Sequence, residues 1–260
     1  MKIFYTISGH NQIEELKFHL SYLNDFTFID KVFLSCANLK MVEVFKEHYK
    51  KNNYEILLNE DYGYKIGCVV NVFAPLQKIK EEYKDKDYFV IEMEADAFFT
   101  EEKVLKRVIE KMQEENKDYV NIEFSMSNFD IDYKLQTVNI FSKKAIEEIL
   151  DYEINEAAAT WQWWGMEDYF RYSINKKHDL DTYEKQKAFH DKHVLELRYD
   201  YEYAGYPEVY PREDVPKREK FVPSRYITTS YINMPNYPGA VEDTIAFINK
   251  YKDQNEWDKL

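Results

Sequence analysis

Three short stretches carry residues able to do chemistry. In EMEAD the carboxylates Glu92, Glu94 and Asp96 stand at alternate positions. On a strand, alternate residues share one face. Three like charges on one face repel, more so when half-buried, and call for water, basic side chains or a divalent cation. Oxygen donors of this kind suit Mg²⁺ or Mn²⁺. In TWQWWGMEDYFRY, Trp161, Trp163 and Trp164 precede Gly165 and the acid pair Glu167 and Asp168. Indole faces stack on the C–H faces of a sugar, and a carboxylate beside them can take a proton from a hydroxyl. In FHDKHV, His190 and His193 are spaced to share a ligand. Each stretch also has a plainer reading. The acids could end a strand in solvent, Trp161 and Trp163 could be core, and the histidines could be a chance pair.

Residues of this kind act only when elements bring them together. KIFYTIS (2–8), DKVFLSCA (30–37) and YEILLN (54–59) alternate or run apolar as strands do. Ile13, Leu16, Leu20 and Leu23 recur at helical spacing, as do Leu39, Val42, Phe45 and Tyr49. Gly63 and Gly67 punctuate a loop before a helix over about 67–84. An apolar strand at 88–91 runs straight into the acid triplet. Further helices are expected over 101–116 and 143–151, with strands over 118–124 and 136–141. A helix is expected to start near Met166, so that the acid pair sits in its first turn, where the helix dipole favours an anion. Strand–helix alternation predicts an α/β fold with a mostly parallel central sheet, helices on its faces, and ligands at the strands' C-terminal ends.

Beyond about 190 the texture changes. Pro207, Pro211, Pro216 and Pro223 lie among tyrosines and charges and exclude a long regular element. A Tyr/Pro-rich C-terminal extension over 201–260, closed by a short helix at 240–251, is expected to pack on the same domain.

The totals limit the function classes. The 260 residues are 45% hydrophobic and 32% charged, with net charge −13. That is a globular composition, and the negative charge argues against nucleic-acid binding. Cys36 and Cys68 form no disulfide framework. No apolar run reaches the ~20 residues of a membrane span, and no secretory pattern opens the chain. A cytoplasmic location is expected, with room for peripheral contact at the inner face of a membrane.

The element order, with an apolar strand ending in Glu94-Ala95-Asp96, resembles the nucleotide-sugar-dependent glycosyltransferases of the GT-A fold and their DxD motif. Glu stands here in the motif's first position. Trp164-Gly165-Met166-Glu167-Asp168 is similar to the Trp-Gly-Gly-Glu-Asp segment of β-1,4-galactosyltransferase-like inverting enzymes, with Met166 in place of a glycine. The resemblance implies a catalytic domain over 1–200. Its nucleotide-sugar half would span about 1–100 and its acceptor half about 101–200. It implies a UDP- or GDP-sugar donor and a glycan acceptor. It further implies that Asp96, His190 and His193 hold a divalent metal, and that Glu94 lies close to it or to the ribose. Trp163, Trp164 and Glu167 would position the acceptor, and Asp168 would be the catalytic base. Thr6, Ser8, Lys65 and Asn71 would meet the donor. Imidazole beside carboxylate would favour Mn²⁺ over Mg²⁺. A retaining transferase of the same fold, and a carbohydrate-binding protein derived from one, are the alternatives.

Overall fold

The structure is a computed structural model that describes residues 1–62, 64–120, 139–151, 165–195, 231–233, 242 and 244–246. Within these spans the side chains of residues 64, 65, 165–169, 171, 172 and 231–233 lie outside the description.

The first half follows the expected alternation closely. It runs β1 (Lys2–Gly9), α1 (Ile13–Leu23), β2 (Lys31–Cys36), α2 (Leu39–His48), β3 (Tyr54–Leu58), α3 (Tyr64–Glu82) and β4 (Tyr88–Glu94). After a turn at Ala95-Asp96 come β5 (Ala97–Phe99), α4 (Glu102–Glu114) and β6 (Tyr119–Val120). The remaining elements are β7 (Asn139–Ser142), α5 (Lys143–Ile149), α6 (Gly165–His178), α7 (Tyr183–His193), β8 (Val194–Leu195) and β9 (Tyr231–Asn233). Helix α3 starts three residues before Gly67 and continues through Pro75, whose missing N–H leaves one rung of the helix open.

Strands pair in the order β3-β2-β1-β4-β7-β6-β8. The first four are mutually parallel, and β7 runs antiparallel to β4 and β6. This is the expected α/β class, a seven-stranded, mostly parallel sheet with helices on both faces. Alternation along the strands separates two cores. Ile3, Tyr5 and Ile7 of β1 and Phe89, Ile91 and Met93 of β4 face α1, α2 and α4. Phe4, Tyr88 and Val90 face α3, α5, α6 and α7. Every central strand is therefore buried on both sides, which explains why β4 reads as a continuous apolar run.

The chain leaves β1 towards β2 and β3, then returns to place β4 on β1's other side. The crevice between β1 and β4 is thus the topological switch point, where α/β sheets collect ligands. Beside it, β5 pairs antiparallel with β9, with Ala97 opposite Asn233. Among the described residues no helix is long and apolar enough to cross a membrane.

Candidate active site at the switch point

The acid triplet divides into three different environments. Glu92 is fully buried on β4. Ser8 Oγ donates to its Oε1 at 2.9 Å, and Asn139 Nδ2 donates to its Oε2 at 2.9 Å. A buried carboxylate satisfied in this way ties β1, β4 and β7 together and is no longer available to a ligand. Glu94 ends β4 and is partly exposed. Asp96 has left the strand for the turn. The shared strand face expected for all three therefore holds for Glu92 and Glu94 only.

Asp96 is the unusual member. Its Oδ1 is buried and has no hydrogen-bond partner among the described residues. Burial pushes its carboxyl up to about 6, Glu15 adds to the rise, and its own backbone amide pulls the other way. A buried carboxylate oxygen without a partner is costly. A divalent cation would remove that cost, so the residue fits such an ion. All-oxygen donors from Glu94 and Asp96 suit Mg²⁺ as well as Mn²⁺. Among the described residues no group of three or more His, Cys, Asp or Glu could enclose a metal. The remaining coordination positions would fall to a bound ligand and water.

The expected histidine ligands lie elsewhere. Val194 pairs with Tyr119, Tyr119 with Phe141, and Phe141 with Val90, so His193 adjoins the level of Val90. Glu94 is four residues further along β4 and three strands across. At ~3.3 Å per residue and ~4.8 Å per strand the separation is roughly 20 Å. His193 Nδ1 instead lies 3.0 Å from Asp118 Oδ2, and His190 is buried on α7. The structure does not bring His190 or His193 to Asp96, and the preference for Mn²⁺ that depended on imidazole loses its ground.

The expected donor residues lie around the crevice, mostly turned to structural partners. Thr6 is buried, its hydroxyl 3.5 Å from the Ile91 carbonyl. Ser8 is held by Glu92. Asn71 is buried on α3, where its Nδ2 donates to the Gly9 carbonyl at 3.1 Å and its Oδ1 accepts from Asn59 Nδ2 at 2.8 Å. Asn59 also reaches Ser35 Oγ at 2.9 Å. Asn38 Nδ2 donates to the His10 carbonyl at 3.1 Å and to Asn11 Oδ1 at 2.9 Å, while its Oδ1 caps α2 through the Lys40 amide. Side-chain amides thus stitch the ends of β1, β2 and β3 to α3. The signal was present in the sequence: Asn11, Asn38 and Asn59 each stand one or two residues beyond a strand. Lys65 lies in the first turn of α3, with its side chain outside the described residues.

Trp161, Trp163 and Trp164 also lie outside the described residues. Glu167 and Asp168 fall in the first turn of α6, as expected from Gly165, with their side chains outside the description. The placement of α6 is nonetheless informative. Its Phe170 ring lies 5.4 Å from Phe73 of α3 and 5.0 Å from Phe141 of β7. Its last residue, His178, reaches Glu148 of α5 at 2.9 Å, with the His178 and His193 rings 6.4 Å apart. Helix α6 is therefore anchored on α3 and β7 at Phe170 and on α5 at His178.

A shallow cavity of about 190 Å³ lies at the opposite end, lined by Lys2, Asp30, Lys31, Tyr54 and Tyr83 among others. Its cations are already paired, Lys2 with Asp30 and Lys31 with Glu55. It lies at the strands' N-terminal ends, away from the acids, and has no place in the candidate site.

No family model matches the sequence, and no curated protein matches it. Solved structures do. A mannosyltransferase from Pyrobaculum calidifontis, in complex with GDP-Man and Mn²⁺, matches with TM-score 0.45 and 8% identity, over 58% of this chain and 47% of that one. Residues 1–349 of TarS from S. aureus, in complex with UDP, match with TM-score 0.44 and 16% identity, over 66% of this chain and 54% of that one. A 4-diphosphocytidyl-2C-methyl-D-erythritol synthase from Anaerococcus prevotii matches with TM-score 0.46 and 12% identity, over 74% of this chain and 85% of that one. The chain spans only about half the length of the two transferases.

Proposed function

We propose that the chain is a divalent-cation-dependent inverting glycosyltransferase. It would move a sugar from a UDP- or GDP-sugar to a hydroxyl of a glycan acceptor, in the synthesis of a surface polysaccharide or lipooligosaccharide. The observation that carries this reading is Asp96, at the switch point of the sheet, whose Oδ1 is buried and has no hydrogen-bond partner among the described residues. The bound cation would neutralise charge developing on the leaving diphosphate. Asp96 holds that ion, with Glu94 beside it. Ser8 acts indirectly by tying β1 to β4, and Asn71 by tying the end of β1 to α3. Asp168 takes the acceptor hydroxyl's proton as it attacks, with Glu167 orienting the hydroxyl and Trp163 and Trp164 covering the sugar. The turn after β1, Gly9-His10-Asn11-Gln12, holds one glycine and no Arg or Lys, which favours glycosyl transfer over nucleotidyl transfer.

The test is turnover of a panel of nucleotide-sugars with Mn²⁺, Mg²⁺ or chelator, followed by determination of the product's anomeric configuration. Asp96→Ala is expected to abolish cation-dependent donor binding. Asp168→Asn is expected to bind donor normally and lose transfer by about 10²–10⁴-fold. A product of unchanged configuration would make the enzyme a retaining one. Glycan binding without any turnover would make it a binding protein.

A further inference from the structure

We infer that His19 is a positioning residue that sets the geometry of the Asp96 turn from inside the protein; the inference rests on reading Asp96 as the cation ligand. His19 lies on α1, and only 1% of it is exposed. Its Nδ1 is 3.3 Å from the Ala95 carbonyl, and its Nε2 is 2.8 Å from the Tyr5 hydroxyl. Its ring stacks on Phe98 with centroids 4.9 Å apart. A carbonyl can only accept, so Nδ1 carries the proton and Nε2 accepts from Tyr5. Burial keeps the ring neutral by lowering its pKa to about 3, which preserves this division of roles.

The contact matters because of where Ala95 sits. Its amide donates to the Ser8 carbonyl at 2.8 Å, so β1 holds one side of this residue and His19 holds the other. The next residue is Asp96. Gly9 is packed so closely against Ala95 that an added Cβ would stand 3.1 Å from the alanine's own. Phe98, on the far side of the turn, is enclosed by Phe18, His19 and Tyr22. The imidazole thus touches the residue before Asp96 and the second residue after it. It acts as outer-shell partners of metal ligands do, by fixing where a carboxylate points.

Two substitutions separate the bonds. Asparagine places its amide nitrogen where Nδ1 was and keeps the donor to Ala95. Glutamine places its nitrogen where Nε2 was and keeps the contact with Tyr5 instead. Mn²⁺ binding, followed by the electron paramagnetic resonance of the free ion, is compared for wild type, His19→Asn, His19→Gln and Asp96→Asn. Amide hydrogen exchange over residues 94–97 without metal is measured in parallel, together with thermal melts. The expected result is that His19→Gln weakens Mn²⁺ binding by about tenfold and speeds exchange in the turn. His19→Asn should stay close to wild type in both, even where the two variants melt alike. Variants that lose protection and affinity only in proportion to stability, or that leave both unchanged, would overturn the inference. If wild type and Asp96→Asn both fail to bind Mn²⁺, the cation reading falls. The exchange comparison then still decides the role of His19: a Gln-specific loss supports it, and equal protection overturns it.

Discussion

At the scale of the residue, Asp96 sets function against stability. Its pKa in the folded chain is raised to about 6 from an ordinary value near 3.8. For a raised carboxyl the stabilising contribution is complete below pH ~3.8 and is lost as pH rises through ~6. A rise of this size corresponds to about 2–3 kcal/mol at most. Asp96→Asn should therefore raise the metal-free protein's stability by up to about that amount at pH 7.5. The gain should vanish below pH ~4, where the native carboxyl is already neutral. Urea melts of both proteins at the two pH values measure it. A variant that is no more stable at pH 7.5 would show that the carboxylate finds compensation in the protein itself.

Glu92 shows the opposite outcome from the same short motif. Two positions away from Glu94 and of the same residue type, it is fully buried yet satisfied at both oxygens. Spacing alone does not mark Glu92 as the carboxylate that joins three strands. Only the neighbours Ser8 and Asn139, remote in sequence, make the difference.

At the scale of the element, α6 is the helix that bears Asp168, the proposed base. Its anchors lie away from its first turn. Phe170 packs on Phe73 and Phe141, and His178 bonds Glu148. Glu148 also accepts a hydrogen bond from the fully buried Tyr119 hydroxyl. Glu148→Ala leaves that hydroxyl and the imidazole without their partner. It should cost about 2–3 kcal/mol, measured by chemical denaturation, whereas Tyr119→Phe, which removes a donor and leaves Glu148 its other partner, should cost less. The two substitutions together should be clearly non-additive, since they share one bond. The second carboxylate of this region, Asp118, receives Ser142 Oγ at 2.8 Å and Lys144 Nζ at 2.6 Å, and these contacts hold it below the usual carboxylate range. His190 and His193 belong to this structural region. Their spacing reads as a ligand pair because residues three apart on a helix are neighbours, and here that spacing buries His190 and brings His193 to Asp118.

At the scale of the whole molecule, the proposed function draws on both faces of the sheet. On the α1–α2–α4 face His19 lies under the Asp96 turn, and on the other face α6 bears Glu167 and Asp168. A ligand that bridges them adds its binding energy to folding. With donor and cation each at about a hundredfold excess over their dissociation constants, the gain is about 2.7 kcal/mol per linked site. For a chain of this size that corresponds to a rise in Tm of roughly 5–10 °C. Donor alone should give much less, because an anionic diphosphate must enter beside Glu94 and Asp96 in a protein of net charge −13. Thermal melts with donor, cation and both together test this. Equal shifts with and without cation would remove the ion from the reading.

Apart from β5, the element order was legible from residue 2 to about 116 because the helices there are periodic and the strands run apolar between turn signals. The short strands β5, β8 and β9 were not. Two or three residues carry no period, and they exist only because a partner pairs with them. The chemistry was legible as residue types: acids at a strand end, an acid pair after a glycine. Which acid is satisfied inside the fold, which histidines are near, and which amides hold the crevice were not. The sequence by itself determined the α/β alternation and the placement of the acids at the C-terminal end of a strand, because local periodicity and strand direction need no distant partner. Only the tertiary structure decided that Glu92 is a core residue, that His193 lies roughly 20 Å from the acids, and that His19 underlies the turn, because each depends on contacts between segments far apart in the chain.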